Sequence, residues 1–149
     1  LKLHIHNDKL PCSICSRMKK AALCKAAHKY NCNKICYAHH NDDAIETLMM
    51  NMIYGGRIAT FKPKMELSKE KLICIRPLVY AKEKDITNTI KTSNIPILQS
   101  TCPNNKNTER ETMKELLHKL YKLYPEAKNN FSIMLYNFEH NEFWEKEKR

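Results

Sequence analysis

Apolar positions recur along this chain with two different periods, and the switches between them mark its elements. Leu1, Leu3 and Ile5 alternate with Lys2, His4 and His6, which fits a short strand or the end of one, and Pro11 breaks that pattern. The period then becomes helical from Ser13 to Tyr30, with Ile14, Met18, Ala22 and Ala26 on one face and Arg17, Lys20 and Lys25 elsewhere. Asn31 and Asn33 end this helix, and Lys34 to Ala38 reads as a short buried strand. A second helix is expected over Asp43 to Tyr54, with Ile45, Leu48, Met49, Met52 and Ile53 as its apolar stripe and Gly55-Gly56 as its stop. Residues 57–71 read as a basic, polar connection, and Leu72 to Leu78 as a second buried strand. A third helix follows over Glu83 to Ser93, with Ile86 and Ile90 inward, and Ile95 to Leu98 is extended. After an Asn-rich loop, Thr108 to Tyr124 forms a long amphipathic helix with Met113, Leu116, Leu117, Leu120 and Leu123 inward; Pro125 ends it, and Glu126 to Phe138 reads as the last helix. Helices separate the two strongest strands, which predicts an α/β fold with a parallel sheet.

Composition narrows the class. Hydrophobic residues make up 42% of 149, ordinary for one globular domain. No apolar run approaches the ~20 residues of a membrane helix, and the first residues hold no signal-peptide core, so a soluble cytoplasmic protein with no membrane partner is expected. Only two glycines occur, Gly55 and Gly56. A nucleotide-binding α/β domain ordinarily carries a glycine-rich phosphate loop after its first strand. The lack of such a loop, together with a first residue that is Leu, leads to the expectation that this is the C-terminal portion of a longer protein. The net charge of +10 is uneven: Lys9, Arg17, Lys19, Lys20, Lys25, Lys29 and Lys34 precede Asn41 with no acid among them from Lys9 onward. Such a block suits a polyanion, and it equally suits a solvated lysine-rich helix.

Seven cysteines without a secretion signal argue against a disulfide framework and for thiols that are buried, metal-binding or catalytic. Cys12 and Cys15 have metal-ligand spacing and fall at the start of the first helix, where thiolate is favoured over thiol. Lys19 follows Cys15 by one turn on the same face. Zinc would need further ligands, with His4, His6 or other cysteines as candidates. An iron–sulfur cluster could take Cys12, Cys15 and a distant cysteine, of which Cys102, in a loop and followed by Pro103, is freest to approach. A thioredoxin-type pair is the third reading. Spacing alone leaves zinc and iron–sulfur open. Cys74, mid-strand, reads as core.

The strand ending at Ala38 runs straight into His39, His40, Asp42 and Asp43, and a helix follows. Ligands of α/β proteins sit at the carboxyl ends of strands, so these four side chains are placed to meet one. An aspartate before a helix is, however, more often a cap than a ligand. The acidic turn and the three cysteines are read together as one site. Arg76, near the end of the second strand, reads as a structural ion pair, with phosphate contact as the alternative.

Several stretches together resemble the tRNA 2-thiocytidine synthetase family of PP-loop ATP pyrophosphatases. They are Pro-Cys-Ser-Ile-Cys-Ser-Arg-Met-Lys (11–19), Ala-His-His-Asn-Asp-Asp-Ala-Ile-Glu-Thr (38–47), Tyr-Gly-Gly-Arg (54–57), Ile-Arg-Pro-Leu-Val-Tyr (75–80), Glu-Lys-Asp-Ile (83–86) and Cys-Pro (102–103). The resemblance implies a parallel-sheet, Rossmann-like adenine-nucleotide α-hydrolase fold: a partial PP-loop domain over 1–103 and a C-terminal helical extension over 104–149. It implies ATP-dependent sulfur insertion at C2 of a cytidine in the tRNA anticodon loop. Cys12, Cys15 and Cys102 would hold a 4Fe-4S cluster. His39, His40, Asp42 and Asp43 would lie near ATP and Mg2+, with Asp42, Asp43 and Lys19 catalytic. Arg17, Lys20, Lys25 and Lys29 would meet the tRNA. The implied partners are tRNA, a sulfur donor such as a cysteine desulfurase, and a second copy of the chain in a homodimer. The Ser-Gly-Gly-x-Asp-Ser loop of that family does not occur here, and Ala38 stands where glycine usually precedes the His pair, so this chain alone is expected to bind ATP poorly. The alternatives are a non-catalytic zinc-bearing nucleic-acid-binding module and a related thiouridine-forming sulfurtransferase.

Overall fold

In the computed structural model, residues 12–98, 102 and 108–137 are described; the alternating stretch before Pro11 lies outside them. Cys12–Lys29 form helix α1. Its end is set by Asn31, whose φ of 53° is left-handed. The amide of Cys32 donates to the carbonyl of Ala27 at 2.8 Å and that of Asn31 to His28 at 3.1 Å, which together close a Schellman motif. The buried positions of α1 are Cys24 and Ala27, while Met18 is 59% exposed and Ala22 and Ala26 face solvent. The expected Ile14–Met18–Ala22–Ala26 face is therefore corrected. Apolar residues surround this helix on several sides, and the small Cys24 and Ala27 allow it the closer approach to the sheet.

Strand β1 is Lys34–Cys36, with Ile35 buried and Cys36 exposed. It is shorter than expected and inward at one position only, although the amide of Tyr37 still donates to Ile75 at 2.9 Å. Helix α2 spans Asn41–Gly55. Strand β2, Lys64–Leu67, was not expected, and strand β3 is Leu72–Ile75. The sheet order is β1-β3-β2; β1 pairs with β3 in parallel, and β2 with β3 antiparallel. The sheet is thus mixed, because residues 68–71 make a tight hairpin with Lys71 at φ 51°. Helix α3 is Glu83–Thr92, α4 is Glu109–Leu123 and α5 is Ala127–Met134. The fold is α/β.

The chain divides into two compact units, one from residues up to Asn41 and from Phe61 to Thr108, the other from Asp42 to Thr60 and from Glu109 onward. In the first, Cys24 and Ala27 of α1 pack on Ile35, Leu67, Leu72 and Cys74 of the sheet, with half-buried Tyr37 against them. In the second, Ile45 of α2 packs on Met113 and Leu117 of α4, and Met49, Met50, Tyr121, Phe131 and Leu135 close around them. Leu48 is buried as expected, whereas Met52 and Ile53 are exposed.

Gly56, at φ 57° just past α2, lets the chain turn back along its own helix. Asn51 Nδ2 then donates to the Ala59 carbonyl at 2.7 Å, and Thr60 Oγ1 to that of Ala44 at 2.8 Å. No atom lies within 4 Å of where a Cβ on Gly56 would sit, so the cost of a side chain there is backbone strain alone. Gly56→Ala is expected to lower stability by about 1 kcal/mol, read as a shift of the urea midpoint.

Candidate functional site

The carboxyl ends of β1 and β3 and one side of α1 enclose a cavity of about 430 Å³ in the first unit. Leu67, Cys74 and Met65 line it from the sheet, Tyr37 and His39 from the segment after β1, and Arg17, Lys19 and Lys20 from α1. Arg76 completes the wall. No carboxylate is among these lining residues. Arg76 follows β3 directly, and its backbone N–H donates a hydrogen bond to the Pro63 carbonyl at 2.8 Å. Its guanidinium carbon lies 4.8 Å from the centre of the Phe61 ring and 5.7 Å from that of Tyr37. Its Nη1 donates to the Lys62 carbonyl at 2.6 Å, while its buried Nε–H meets no acceptor among the described residues. The default reading of Arg76 as an ion pair is corrected: aromatic faces and a carbonyl hold it, and no acid does among the described residues. His39 stacks obliquely on Tyr37 and Phe61, with centroids 5.5 and 4.9 Å away. Burial pushes the Tyr37 phenol above its ordinary value; the neighbouring Cys74 and Cys24 add to this, and Arg76 opposes it.

Cys12 and Cys15 lie in the first turn of α1, exposed and half-buried, ahead of the three cations of that helix that line the cavity. No disulfide joins any of the cysteines. Two thiols three positions apart on an accessible helical turn have the donor chemistry for a soft metal centre. Cys102 is exposed between α3 and α4. Among the described residues no three His, Cys, Asp or Glu side chains stand close enough to hold a metal ion, so the structure does not gather Cys12, Cys15 and Cys102 around one point. Lys25 and Lys29 lie farther along α1, exposed and outside the cavity lining.

The acidic turn divides between the units, with His39 and His40 in one and Asp42 and Asp43 in the other. Lys128 Nζ reaches Asp42 at 2.6 Å. Arg110 Nη1 reaches Glu46 at 2.9 Å and Asp43 at 3.5 Å, and its Nη2 donates to Thr47 Oγ1 at 3.1 Å. These pairings do not fit Mg2+, because both aspartates already face cations from α4 and α5. Beneath them, Tyr121 is pushed up to about 12 by burial, with Asp42 and Glu46 adding to the shift. A glycine-rich cradle for phosphates is also lacking among the described residues, where Gly55 and Gly56 sit at the end of α2.

Phe61, Tyr37 and the strand β2 escaped the sequence reading. The alternation of Lys64, Met65, Glu66 and Leu67 was a usable signal, as was an arginine placed just beyond a buried strand.

Comparison with known proteins bears on this geometry. A family model described as a PP-loop domain matches residues 15–121. The chain belongs to the PP-loop domain family. It is 36% identical over 140 residues to the tRNA-cytidine(32) 2-sulfurtransferase of Nitrosospira multiformis, covering 93% of this chain and 47% of that protein. To the enzyme of the same name from Pasteurella multocida it is 39% identical over 126 residues, covering 84% and 40%. The chain thus spans less than half the length of these relatives. Among solved structures it is similar to the U34-tRNA thiolase NcsA from Methanococcus maripaludis, solved with its 4Fe-4S cluster, at TM-score 0.66 and 21% identity, covering 89% of this chain and 45% of that one. At that identity the likeness shows a shared fold. No described helix is long and apolar enough to cross a membrane.

Proposed function

We propose that this PP-loop chain serves ATP-dependent thiolation of tRNA, inserting sulfur at C2 of an anticodon-loop cytidine. The observation that carries the reading is the placement of the Cys12–Cys15 pair on the same helix as Arg17, Lys19 and Lys20, which open onto a cavity at the strand ends. Thiols for a sulfur-handling centre and cations for a nucleic acid thus lie within the first three turns of one helix. The sulfurtransferases it resembles, at 36% and 39% identity, support the same substrate class.

Cys12, Cys15 and Cys102 would hold a 4Fe-4S cluster, and three protein ligands would leave one iron open to carry sulfur. Closing that set requires Cys102 to come to the first turn of α1. Lys19, at the cavity wall, holds a cation where a base carbonyl would gain negative charge as it is activated. His39, stacked on Tyr37 and Phe61, forms part of the cavity wall. ATP would supply the adenylate that makes a base oxygen a leaving group. Asp42 and Asp43 stay paired with Lys128 and Arg110 and carry no step here. Lys25 and Lys29 would extend the contact with tRNA along α1, and a cysteine desulfurase is the class of protein to deliver the sulfur.

The test is the iron and acid-labile sulfide content per chain after anaerobic reconstitution. About four of each are expected, with loss in Cys102→Ala and in Cys12→Ala. Stoichiometric zinc without sulfide, indifferent to Cys102→Ala, would replace this reading with a structural zinc module. Thionucleoside content of tRNA from a deletion strain separates the substrates: loss of 2-thiocytidine supports the cytidine assignment, and loss of a 2-thiouridine alone shifts it to uridine.

A further inference from the structure

The cavity beside α1 holds an arginine with donors left unused among the described residues. Nη1 of Arg76 is engaged by the Lys62 carbonyl, while Nε–H is buried without an acceptor. Nε–H and one Nη2–H leave the guanidinium in parallel from the same edge, and that edge matches two oxygens of one tetrahedral anion. Phe61 and Tyr37 fix the plane of the group, so the fork is set before any ligand arrives. Arg17, Lys19 and Lys20 line the same cavity, with no carboxylate among the lining residues to offset them. Four positive groups around one concave space repel one another, and an anion between them relieves that repulsion.

We infer that this cavity is a phosphate-binding site in which Arg76 grips one phosphodiester of an RNA backbone through its Nε and Nη2 hydrogens, with Arg17, Lys19 and Lys20 as counter-charges. The inference rests on the proposed tRNA substrate and specifies where its backbone is held. RNA is favoured over a free nucleotide because no glycine-rich cradle for a nucleotide's phosphates occurs among the described residues, where Gly55 and Gly56 sit at the end of α2. Exposed Lys25 and Lys29 add positive charge farther along α1, which raises the attraction for a polyanion over that for a single small ligand.

The test uses the full chain, reduced and free of any cluster, with a fluorescein-labelled anticodon stem-loop RNA followed by anisotropy. Inorganic pyrophosphate and ATP serve as competitors. Arg76→Lys keeps the charge and loses the fork, and it is expected to weaken RNA binding by roughly tenfold, the value of a charge-assisted hydrogen bond. Arg76→Gln should lower the slope of log affinity against log salt by about one. Arg17→Gln, on the exposed side of α1, cannot act by unfolding the chain and should weaken RNA binding by about threefold. Urea midpoints of each variant separate binding from folding. RNA affinity and salt slope unchanged in both Arg76 variants would overturn the inference. Weaker pyrophosphate or ATP binding in Arg76→Lys with RNA binding intact would overturn the RNA assignment and make the cavity a nucleotide-phosphate site. Because the measurement needs no cluster, it is repeated in Cys12→Ser/Cys15→Ser. Arg76-dependent RNA binding there, alongside failed cluster assembly in the unmutated chain, would remove the thiolation chemistry and leave the phosphate site standing.

Discussion

Arg110→Met is expected to cost about 2–3 kcal/mol of stability, because it strips the cation from a buried carboxylate. Glu46 is 4% exposed in the middle of α2, a place a charged side chain occupies only with a partner. Arg110, from α4, supplies that partner at 2.9 Å and also reaches Thr47 and Asp43. Breaking a fully buried pair costs about 3–5 kcal/mol. Arg110 keeps 42% of its side chain in water, so the pair is partly screened and the lower figure applies.

The pH dependence follows from Glu46. Burial raises its pKa above the ordinary value, and the hydrogen bond and charge of Arg110 pull it back down. A carboxyl whose pKa is raised by folding binds its proton more tightly in the folded state. Its contribution to stability is therefore favourable below the unfolded value and is lost as pH rises through the folded one. Removing Arg110 raises the folded value further and widens that window. The penalty of Arg110→Met should thus be greatest at neutral pH, shrink as pH falls, and vanish only well below the ordinary glutamate value, where Glu46 is protonated in both states. Urea unfolding of both chains at pH 7 and pH 5 reads this directly. An equal penalty at the two values would mean that Arg110 acts through packing, and Arg110→Met/Glu46→Gln should then recover nothing.

Element ends marked by local signals are legible in the sequence, whereas helical spacing alone is not enough to place a face: Leu116 and Leu123 of α4, expected inward, are exposed. Gly55-Gly56 ends α2, Asn31 ends α1 in a left-handed turn, and Pro125 separates α4 from α5. Met113 and Leu117, inward by helical spacing, are the buried pair of α4. The misreadings share a different cause. The buried face of α1 was ambiguous because alanine, cysteine and leucine ring the helix, and only the sheet it meets decides between them. Strand β2 is polar at most positions and is held in place by β3, through register rather than burial. Arg76 found Tyr37 only because β1 and β3 run parallel side by side. The aspartates of the acidic turn met cations from helices that follow much later in the chain. The family of the chain was legible from motifs, and the cationic cavity was not, since its walls come from four separate segments.

Leu72→Ala should be the most damaging single truncation in the first unit, at about 2–5 kcal/mol. Leu72 is 1% exposed at the start of β3, the central strand of the sheet. It belongs to the cluster of Cys24, Ala27, Ile35, Leu67 and Cys74, several of which are small, so little side chain is available to collapse into the space it leaves. The cost should sit toward the upper end of that range for this reason. Leu72→Met, which nearly conserves volume and adapts its shape, should cost less than about 1.5 kcal/mol. Urea midpoints at unchanged denaturant slope give both numbers. The contrast matters for function, because Leu67 and Cys74 are at once members of this core and lining of the phosphate cavity. A cavity beneath them should loosen the wall on which Arg76 stands and weaken RNA binding even in the fraction that remains folded, while Leu72→Met leaves it unchanged. If Leu72→Ala lost stability but kept full RNA affinity at low temperature, the grip of Arg76 would depend on Phe61, Tyr37 and the Lys62 carbonyl alone, and not on the packing below it.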